Sequence, residues 1–285
     1  MSVAGSLIQA SLEENTKTVY RRAWTQLKTF MIDQSLSLTL PVAERAIFEN
    51  NYAAATILTS ISSISYVHQL LDFPDPSKSF LVRKLLQGVK KSNKSIDTRL
   101  PITLPMLQKL VMVAPLAFRS HFQCKCFIAM CVLAFHALLR VGEITQSKHN
   151  LQFDDIKLTQ ERVIVNFKSF KHDKGFGVSQ VIQATPGLPT CPVFNLSHYF
   201  QCRGCKPGPL FLKVDNTPFS RAQFLEDMKL AFSFCGIPPG RYNTHSFRIG
   251  GATHLAQQGK SDLQIKQAGR WESNAFRKYT RVNWM

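Results

Sequence analysis

The sequence lacks the features that would place this chain in a membrane or among secreted proteins. Its 285 residues contain no apolar run near the roughly 20 residues that a membrane-spanning helix needs. The first residues also lack the apolar core of a signal peptide. The seven cysteines are odd in number and several lie in apolar stretches, which favours reduced thiols over a disulfide framework. We therefore expect an intracellular protein.

Acidic residues are also scarce. Lys and Arg number 35 against 18 Asp and Glu, which gives a formal net charge of +17 and a pI near 9.8. Such an excess usually means a polyanionic partner, most often nucleic acid, although a generally basic, ribosome-like surface is the plainer alternative. The hydrophobic content of 45% is enough for a real core, so global disorder is excluded.

Motifs for metal, nucleotide or paired-carboxylate chemistry are missing as well. There is no H-E-x-x-H and no G-x-x-x-x-G-K-[ST]. Cys202 and Cys205 form a C-x-x-C that Cys191 and His198 could complete as a zinc site, but a single pair is a weak signal. We expect no metal and no cofactor. An enzyme of this kind would act on phosphate with positioned cations, proton donors and a side-chain nucleophile.

Residues 1–95 read as a small helical domain. Three segments have apolar residues at a 3.6-residue period, and in the third, "SKSFLVRKLLQGVKK", we expect Phe80, Leu81, Leu85 and Val89 to be buried. Basic residues occupy the other faces and continue into the stretch "SNKSIDTRLPITLP", where residues 96–104 read as an interdomain linker. The candidate DNA-binding residues are Lys17, Arg21, Arg22, Arg83, Lys84, Lys90, Lys91, Lys94 and Arg99.

Residues 105–285 read as a larger domain that is mainly helical and carries a small antiparallel sheet. "RVIVNFKSFKHDKGFGVSQVIQAT" contains two β-branched-rich runs around a glycine-containing turn, which predicts a hairpin. "SRAQFLEDMKLAFSFCGI" predicts a helix that Gly236 stops.

Several candidate functional residues stand out in this second domain. His245 and Arg248 are three residues apart after "NT", which predicts a helix start, so both would project from one side of the first turn. Arg140 follows the apolar run "CVLAFHALL", an unusual place for a permanent charge, and Glu143 one turn later could hold its guanidinium. Lys171 is expected at the end of the first hairpin strand, and Tyr279 lies near the C-terminal end of the sequence.

Together these segments resemble the tyrosine recombinase (phage integrase) family. "ALLRVGEI", "FKHDKG", "HSFRIGG", "AGRW" and "KYTR" follow in the order of its signature, which is Arg, Lys, His-x-x-Arg, His or Trp, then Tyr. "TVYRRAWTQLKTF" and "DTRLPIT" are similar to the core-binding domain and hinge of this family, especially in eukaryotic mobile elements. The resemblance implies a helical, SAM-like core-binding domain followed by a tyrosine recombinase catalytic domain.

The resemblance implies the following chemistry. Tyr279 would attack a DNA phosphodiester and give a 3′-phosphotyrosine and a free 5′-hydroxyl. Arg140 and Arg248 would clamp the non-bridging oxygens, for which bidentate guanidinium geometry is suited. A free tyrosine has a pKa near 10, so adjacent cations would be needed to stabilise phenolate character.

Three further roles follow from the same resemblance. His245 would assist proton transfer, and Lys171 would protonate the departing 5′-oxygen. Trp271 would pack behind the phosphate or donate its indole N–H to it. Lys168 and Lys174 lie close to Lys171, and the strand register decides which lysine faces the cleft.

The implied function is site-specific DNA recombination, for integration, excision or transposition of a mobile element. The implied partner is double-stranded DNA, bound by a homodimer on one site and a homotetramer in the synapse, without a membrane or a small-molecule substrate. We expect a DNA-associated location, nuclear in a eukaryotic host. The alternatives are a type IB topoisomerase, a domesticated DNA-binding protein without catalysis and a zinc-dependent binding module.

Two departures from the resembled pattern affect these expectations. Trp271 and Tyr279 are closer in sequence than in several relatives, so the loop between them would be tight. Residues 280–285 follow Tyr279, whereas many family members continue into a further segment that docks on a neighbouring protomer. The tetramer is therefore less strongly implied than strand cleavage.

Overall fold

The computed structural model describes residues 11–33, 35, 54–92, 97–170 and 177–281. The chain divides into two compact units, Met1–Asp97 and Thr98–Met285. Both are mainly helical, and a small antiparallel sheet lies in the second, so the expected fold class is confirmed. Across the described ranges, no helix has the length and apolarity that crossing a bilayer requires.

The first unit contains three α-helices among its described residues. Their bounds are α1 Glu14–Asp33, α2 Ala54–Leu70 and α3 Phe80–Ser92. Helices α1 and α2 pack against each other, with the rings of Tyr20 and Tyr66 5.7 Å apart and the Ser63 hydroxyl donating to the Tyr20 carbonyl at 3.1 Å. A short 3-10 turn, Pro76–Lys78, leads into α3.

The buried face of α3 differs from the prediction. Phe80 is 70% exposed, and Leu81 and Leu85 are exposed too. The residue that is fully buried is Val82, which packs against α2 with Leu86 and Val89 at its side. Two apolar stripes lie next to each other on this helix, and the period alone does not decide which one faces the core.

The second unit contains the remaining elements. Its α-helices are α4 Leu104–Ala117, α5 His121–His136, α6 Val141–Ile144, α7 Pro192–Arg203, α8 Arg221–Phe234, α9 Ser246–Gln257 and α10 Asp262–Ala268. Its strands are β1 Ile156–Leu158, β2 Arg162–Phe167 and β3 Val178–Gln183. Helices α4, α5, α8 and α10 each begin after a Ser or Thr whose side chain accepts a backbone N–H of the first turn, which satisfies a donor that the helix leaves free.

Helix α5 lies at the centre of this unit. Nearly every residue from Cys124 to Phe135 is buried, so the helix is covered on all sides rather than on one face. The sheet has the antiparallel order β1-β2-β3, and Val163, Val165 and Phe167 of β2 alternate into the core. The hairpin of β2 and β3 was predicted, whereas the three-residue β1 was not.

Most of the predicted linker, residues 96–104, belongs to the second unit in the structure. Leu100 N–H donates to the Arg241 carbonyl at 2.9 Å, and Ile102 N–H donates to the Ser246 carbonyl at 3.0 Å. Ile102 is fully buried, and α4 begins at Leu104. The residues from 98 onward therefore belong to the second unit, because their backbone is satisfied there and an apolar side chain is anchored in its core. The functional division into a core-binding and a catalytic domain stays a prediction.

Candidate active site

The first cation of the site, Arg140, lies at the corner between α5 and α6. The chain leaves α5 through Leu138, whose φ of 49° is in the left-handed region, and Arg140 then precedes α6. Arg140 N–H donates to Glu143 Oε2 at 2.8 Å, and its Nη1 donates to Oε1 at 3.2 Å. One carboxylate therefore holds both the backbone and the guanidinium, as expected, while the Arg140 side chain stays 23% exposed.

A second cation, Arg270, occupies the other side of the same carboxylate. Its Nη2 donates to Glu143 Oε2 at 2.8 Å, and both side chains are only 2% exposed. Burial lowers the pKa of Arg270, and the Glu143 charge opposes that shift. Desolvation of a lone ion costs several kcal/mol, so this carboxylate depends on its two partners. Arg270 was not predicted as a site residue. The sequence signal that could have indicated it is its position in "AGRW", directly before Trp271.

His245 lies at the start of α9, as predicted. Its backbone N–H donates to Asn243 Oδ1 at 2.8 Å, and the backbone N–H of Asn243 donates to the Ser246 hydroxyl oxygen at 3.1 Å. These side-chain bonds to the backbone shape the turn that leads into the helix. The His245 ring is left half-buried on the side of α9 that faces Tyr279.

Arg248 lies one turn further along α9 and is 1% exposed. Its guanidinium donates to the main-chain carbonyls of Leu138 and Gly269. Burial, and after it the nearby charges of Arg140 and Arg270, lower the pKa of Arg248 to about 9, so the guanidinium stays charged at neutral pH. The two carbonyl bonds hold this buried charge between the corner after α5 and the turn after α10.

Two glycines in "HSFRIGG" allow this close arrangement. A Cβ on Gly250 would lie 1.8 Å from the Ile102 carbonyl oxygen, and a Cβ on Gly251 would lie 2.2 Å from the Phe135 carbonyl oxygen. Helix α9 therefore approaches the backbone of two other segments at distances that only glycine permits. The start of α9 is thereby held next to the end of α5, where Arg140 lies.

Trp271 covers the site from the turn after α10. Its ring lies 4.1 Å from Arg248 Cζ, and its centroid is 5.0 Å from that of Tyr279. The same ring lies over Gly269, where a Cβ would be 1.6 Å from Trp271 Cζ3. The glycine thus leaves room for the indole, and the indole face meets a buried cation, which is a favourable electrostatic contact.

Tyr279 follows the 3-10 turn Asn274–Lys278 and is half-buried. Its hydroxyl forms a 2.8 Å hydrogen bond with His245 Nε2, and Arg248 Cζ lies 5.7 Å from its ring centroid. The Tyr279 carbonyl accepts the Thr253 hydroxyl of α9 at 3.1 Å, and Arg281 N–H donates to that hydroxyl oxygen at 3.1 Å. The backbone around Tyr279 is therefore fastened to the same helix that presents His245.

The charge balance of the site favours an anionic ligand. Among the described residues, the guanidiniums of Arg140, Arg248 and Arg270 lie near one carboxylate, that of Glu143. Fixed positive groups in a poorly hydrated site stabilise negative charge that develops during a reaction. A phosphodiester next to the Tyr279 hydroxyl would meet such an excess of positive charge. The structure thus brings together five of the predicted catalytic residues, whose roles stay predictions.

Three lysines are candidates for the general acid of the predicted set. Lys171, as well as the alternative Lys174, falls outside the described residues. The other alternative, Lys168, is exposed, and its Nζ lies 2.7 Å from Asp155 Oδ1. This buried carboxylate raises the pKa of Lys168, which keeps its proton more firmly bound. Which of the three lysines acts as the general acid stays a prediction.

The candidate DNA-binding residues of the first unit are mostly exposed. Those with exposed side chains are Arg21, Arg22, Arg83, Lys84 and Lys91. Lys17 forms an ion pair with a glutamate one turn earlier in α1 at 2.5 Å. Lys94 and the side chain of Lys90 are outside the described part of the chain. Arg99 belongs to the second unit, where its carbonyl accepts Arg281 Nη1 at 2.7 Å.

The possible zinc ligands do not form a site. Cys202 Sγ lies 3.7 Å from His121 Nδ1, and Cys191 Sγ accepts the N–H of Thr185 at 3.3 Å. Within the ranges that the structure describes, no group of three or more His, Cys, Asp or Glu residues could hold a metal ion. The zinc-dependent alternative is therefore not supported by the described residues.

No protein-family model and no curated protein matches this chain. Solved structures, in contrast, are similar to it. XerH site-specific recombinase bound to a palindromic difH substrate, in a post-cleavage complex, has 16% identity and a TM-score of 0.67 over 95% of this chain and 76% of that chain.

Two integrases are similar as well. The Tn1549 transposon integrase (residues 82–397) in complex with circular intermediate DNA has 14% identity and a TM-score of 0.65, over 95% of this chain and 91% of that chain. A lambda integrase dimer bound to a COC′ core site has 14% identity and the same TM-score, over 96% of this chain and 73% of that chain. The chain therefore has the fold of these recombinases and integrases.

Proposed function

We propose that this chain is a tyrosine recombinase that cleaves and rejoins DNA at specific sites through a 3′-phosphotyrosine on Tyr279. The observation that carries this proposal is the surroundings of the Tyr279 phenol. His245 Nε2 lies 2.8 Å from its oxygen, and the buried Arg248 guanidinium lies against its ring. The shared fold of the recombinases and integrases supports the same conclusion.

The cleavage step exchanges one phosphoester for another. Tyr279 Oη forms a bond to phosphorus, and the bond between phosphorus and the 5′-oxygen breaks. His245 Nε2 takes the phenol proton, and Lys171 is the predicted donor to the departing 5′-oxygen. Rejoining is the reverse, with a 5′-hydroxyl attacking the phosphotyrosine. Because the bond to Tyr279 keeps the phosphoester, the cycle needs no external energy source.

The arginines make this chemistry accessible at neutral pH. An ordinary tyrosine has a pKa of about 10, so its phenol is a weak nucleophile without nearby positive charge. Arg248 supplies that charge next to the ring, and Arg140 is held by Glu143 with part of its side chain open to a ligand. Guanidiniums bind phosphate oxygens in pairs, which suits the charge that builds up in the transition state.

The partner in this proposal is double-stranded DNA. The net charge of +17 and the exposed basic residues on α1 and α3 favour a polyanion. The similar structures of XerH and Tn1549 integrase are complexes with DNA, and the latter belongs to a transposon. The transposon origin of the Tn1549 integrase supports a role in mobile-element movement. We also propose a dimer on each site, as in the similar structure of the lambda integrase dimer on a core site, and a tetramer in the synapse.

The test is a covalent-trapping assay on nicked duplexes tiled across the DNA that flanks the gene. Wild-type protein, Tyr279→Phe and the matched control Tyr242→Phe are incubated with EDTA and analysed on denaturing gels. Tyr242 is half-buried in the same unit, and its ring packs against that of Phe232. We expect adducts with wild type and Tyr242→Phe, each with a free 5′-hydroxyl, and none with Tyr279→Phe.

The outcomes separate the alternatives. An adduct that persists in Tyr279→Phe would refute the assignment of the nucleophile. Tight, salt-sensitive DNA binding without any adduct would indicate a DNA-binding protein without catalysis. Exchange of strands between two labelled duplexes indicates a recombinase, whereas relaxation of supercoiled DNA without exchange would indicate a type IB topoisomerase.

A further inference from the structure

Arg270 joins three parts of the second unit. Its Nη2 donates to Glu143 Oε2 at 2.8 Å, and its Nη1 donates to Gln180 Oε1 of β3 at 3.0 Å and to the Ala137 carbonyl at 3.3 Å. Its Cζ lies 3.7 Å from the ring centroid of Phe167 in β2. One side chain therefore contacts the corner after α5, the carboxylate that holds Arg140, and both strands of the hairpin.

The backbone conformation and the burial of Arg270 both cost free energy in the folded state. Arg270 has a φ of 53°, a left-handed conformation that is uncommon for a residue with a side chain. Its guanidinium is buried, and its Nε has no hydrogen-bond partner among the described residues. Buried ion pairs are often no more stabilising than apolar packing of similar volume, so stability alone does not explain this residue.

The contacts of Arg270 lead directly to the site. Glu143 Oε2 accepts both Arg270 Nη2 and the backbone N–H of Arg140, while Oε1 accepts Arg140 Nη1. The backbone next to Arg270 carries Trp271, which lies on Arg248. A displacement of the Arg270 guanidinium would therefore move the carboxylate that fixes Arg140.

We propose that Arg270 is a positioning residue that orients Arg140 through Glu143 and fixes the β2–β3 hairpin to the segment that carries Trp271. Arg270 does not itself touch the phosphate in this arrangement, because its side chain is buried behind Glu143. The proposal rests on the proposed function, in which Arg140 binds the scissile phosphate.

The first measurement needs no activity. Amide hydrogen exchange is compared for wild type, Arg270→Met and the matched control Arg277→Met, all without DNA. Arg277 lies on the same segment, but its ion pair with Asp262 is exposed and contributes little to stability. We expect Arg270→Met to raise exchange in β3 and in residues 137–145, and Arg277→Met to leave both unchanged.

The second measurement is single-turnover cleavage of trapping duplexes with an ordinary phosphate or a methylphosphonate at the scissile position. A methylphosphonate lacks one negative oxygen and depends less on a correctly placed Arg140. Misplacement by about 1 Å can cost roughly 100-fold in rate, so we expect a loss of that order for Arg270→Met on phosphate and a clearly smaller loss on methylphosphonate. Arg270→Lys, which keeps the charge but not the fork, should lie between wild type and Arg270→Met.

A double variant tests whether Arg270 acts through Glu143. If it does, Arg270→Met combined with Glu143→Gln should cleave no more slowly than Glu143→Gln alone. Unchanged exchange and cleavage in Arg270→Met would overturn the proposal. Equal losses on both substrates, with additive effects in the double variant, would also overturn it and leave a purely structural role.

The two proposals fail in different ways. If wild type forms no adduct that depends on Tyr279, the proposed function fails, and the exchange measurement still decides the positioning role of Arg270. In that case, unchanged exchange in β3 and residues 137–145 would overturn it. If wild type cleaves through Tyr279 while Arg270→Met cleaves at the same rate, only the inference about Arg270 fails.

Discussion

The substitution Gly250→Ala tests the close packing that holds the start of α9. Gly250 follows Arg248 by two residues, and its α-carbon faces the backbone of Ile102. An alanine in the middle of a helix is normally favourable by about 1 kcal/mol relative to glycine. Any loss of stability must therefore come from the contact between α9 and the segment through Ile102.

The structure gives the size of the expected effect. The added Cβ would lie 1.8 Å from the Ile102 carbonyl oxygen, whereas ordinary contacts begin at 3.4 Å, so the two backbones must separate by about 1.6 Å (3.4 − 1.8). Overpacking costs about 1–3 kcal/mol, and more where the obstacle cannot rotate away. We expect a net loss of roughly 2 kcal/mol in the opening free energy of α9, and a displacement of His245 and Arg248 that slows cleavage about 100-fold.

The assay is native-state amide exchange, which measures the opening free energy of each helix by itself. The matched control is Gly88→Ala in α3, where a Cβ would meet no atom within 4 Å. That variant should stabilise α3 by up to about 1 kcal/mol and leave cleavage unchanged. If Gly250→Ala left α9 as stable as in wild type, the close approach of α9 to Ile102 would be refuted.

Two further predictions concern Trp271 and His136. Trp271→Ala should slow adduct formation about 30-fold, because a desolvated contact between the indole ring and Arg248 is worth roughly 2 kcal/mol. Trp271→Phe, which keeps an aromatic face, should keep most of the rate. Equal losses of rate in the two variants would instead assign the effect to the indole N–H. Burial lowers the pKa of His136 from 6.5 to about 4, so the unfolded chain binds this proton at higher pH than the folded chain. The free energy of unfolding should therefore fall by roughly 3 kcal/mol as pH drops from 6.5 to 4. In urea titrations at several pH values, His136→Gln should reduce this dependence of unfolding free energy on pH. An unchanged pH dependence in His136→Gln would contradict its assignment to the buried imidazole.

Features governed by local sequence were predicted well. Gly236 follows the end of α8, as predicted, and the short signals before His245 marked the start of α9. The β2–β3 hairpin followed from its β-branched runs. Each of these features depends on residues that are close in sequence, so the pattern contains the necessary information.

Features governed by distant contacts were not predicted. Arg270 and Glu143 are 127 residues apart, and nothing local to either residue indicates the other. On α3 the period of the sequence marks two apolar stripes. Val82 rather than Phe80 is buried because it packs against apolar residues of α2, which are distant in sequence. Strand β1 has three residues, too few for an alternation to be recognised, and it exists because β2 offers it a partner.

The contacts between Tyr279 and α9 bear on which copy of the protein supplies the tyrosine to each proposed active site. The Thr253 hydroxyl holds the Tyr279 carbonyl, and His245 from the same helix meets its phenol. Under the proposed function, the nucleophile Tyr279 and its proton acceptor His245 would therefore come from the same copy of the protein, and no copy would have to supply its tyrosine to a neighbour's site. In that proposal, one copy alone could cleave a strand, whereas joining it to a new strand would need the proposed tetramer.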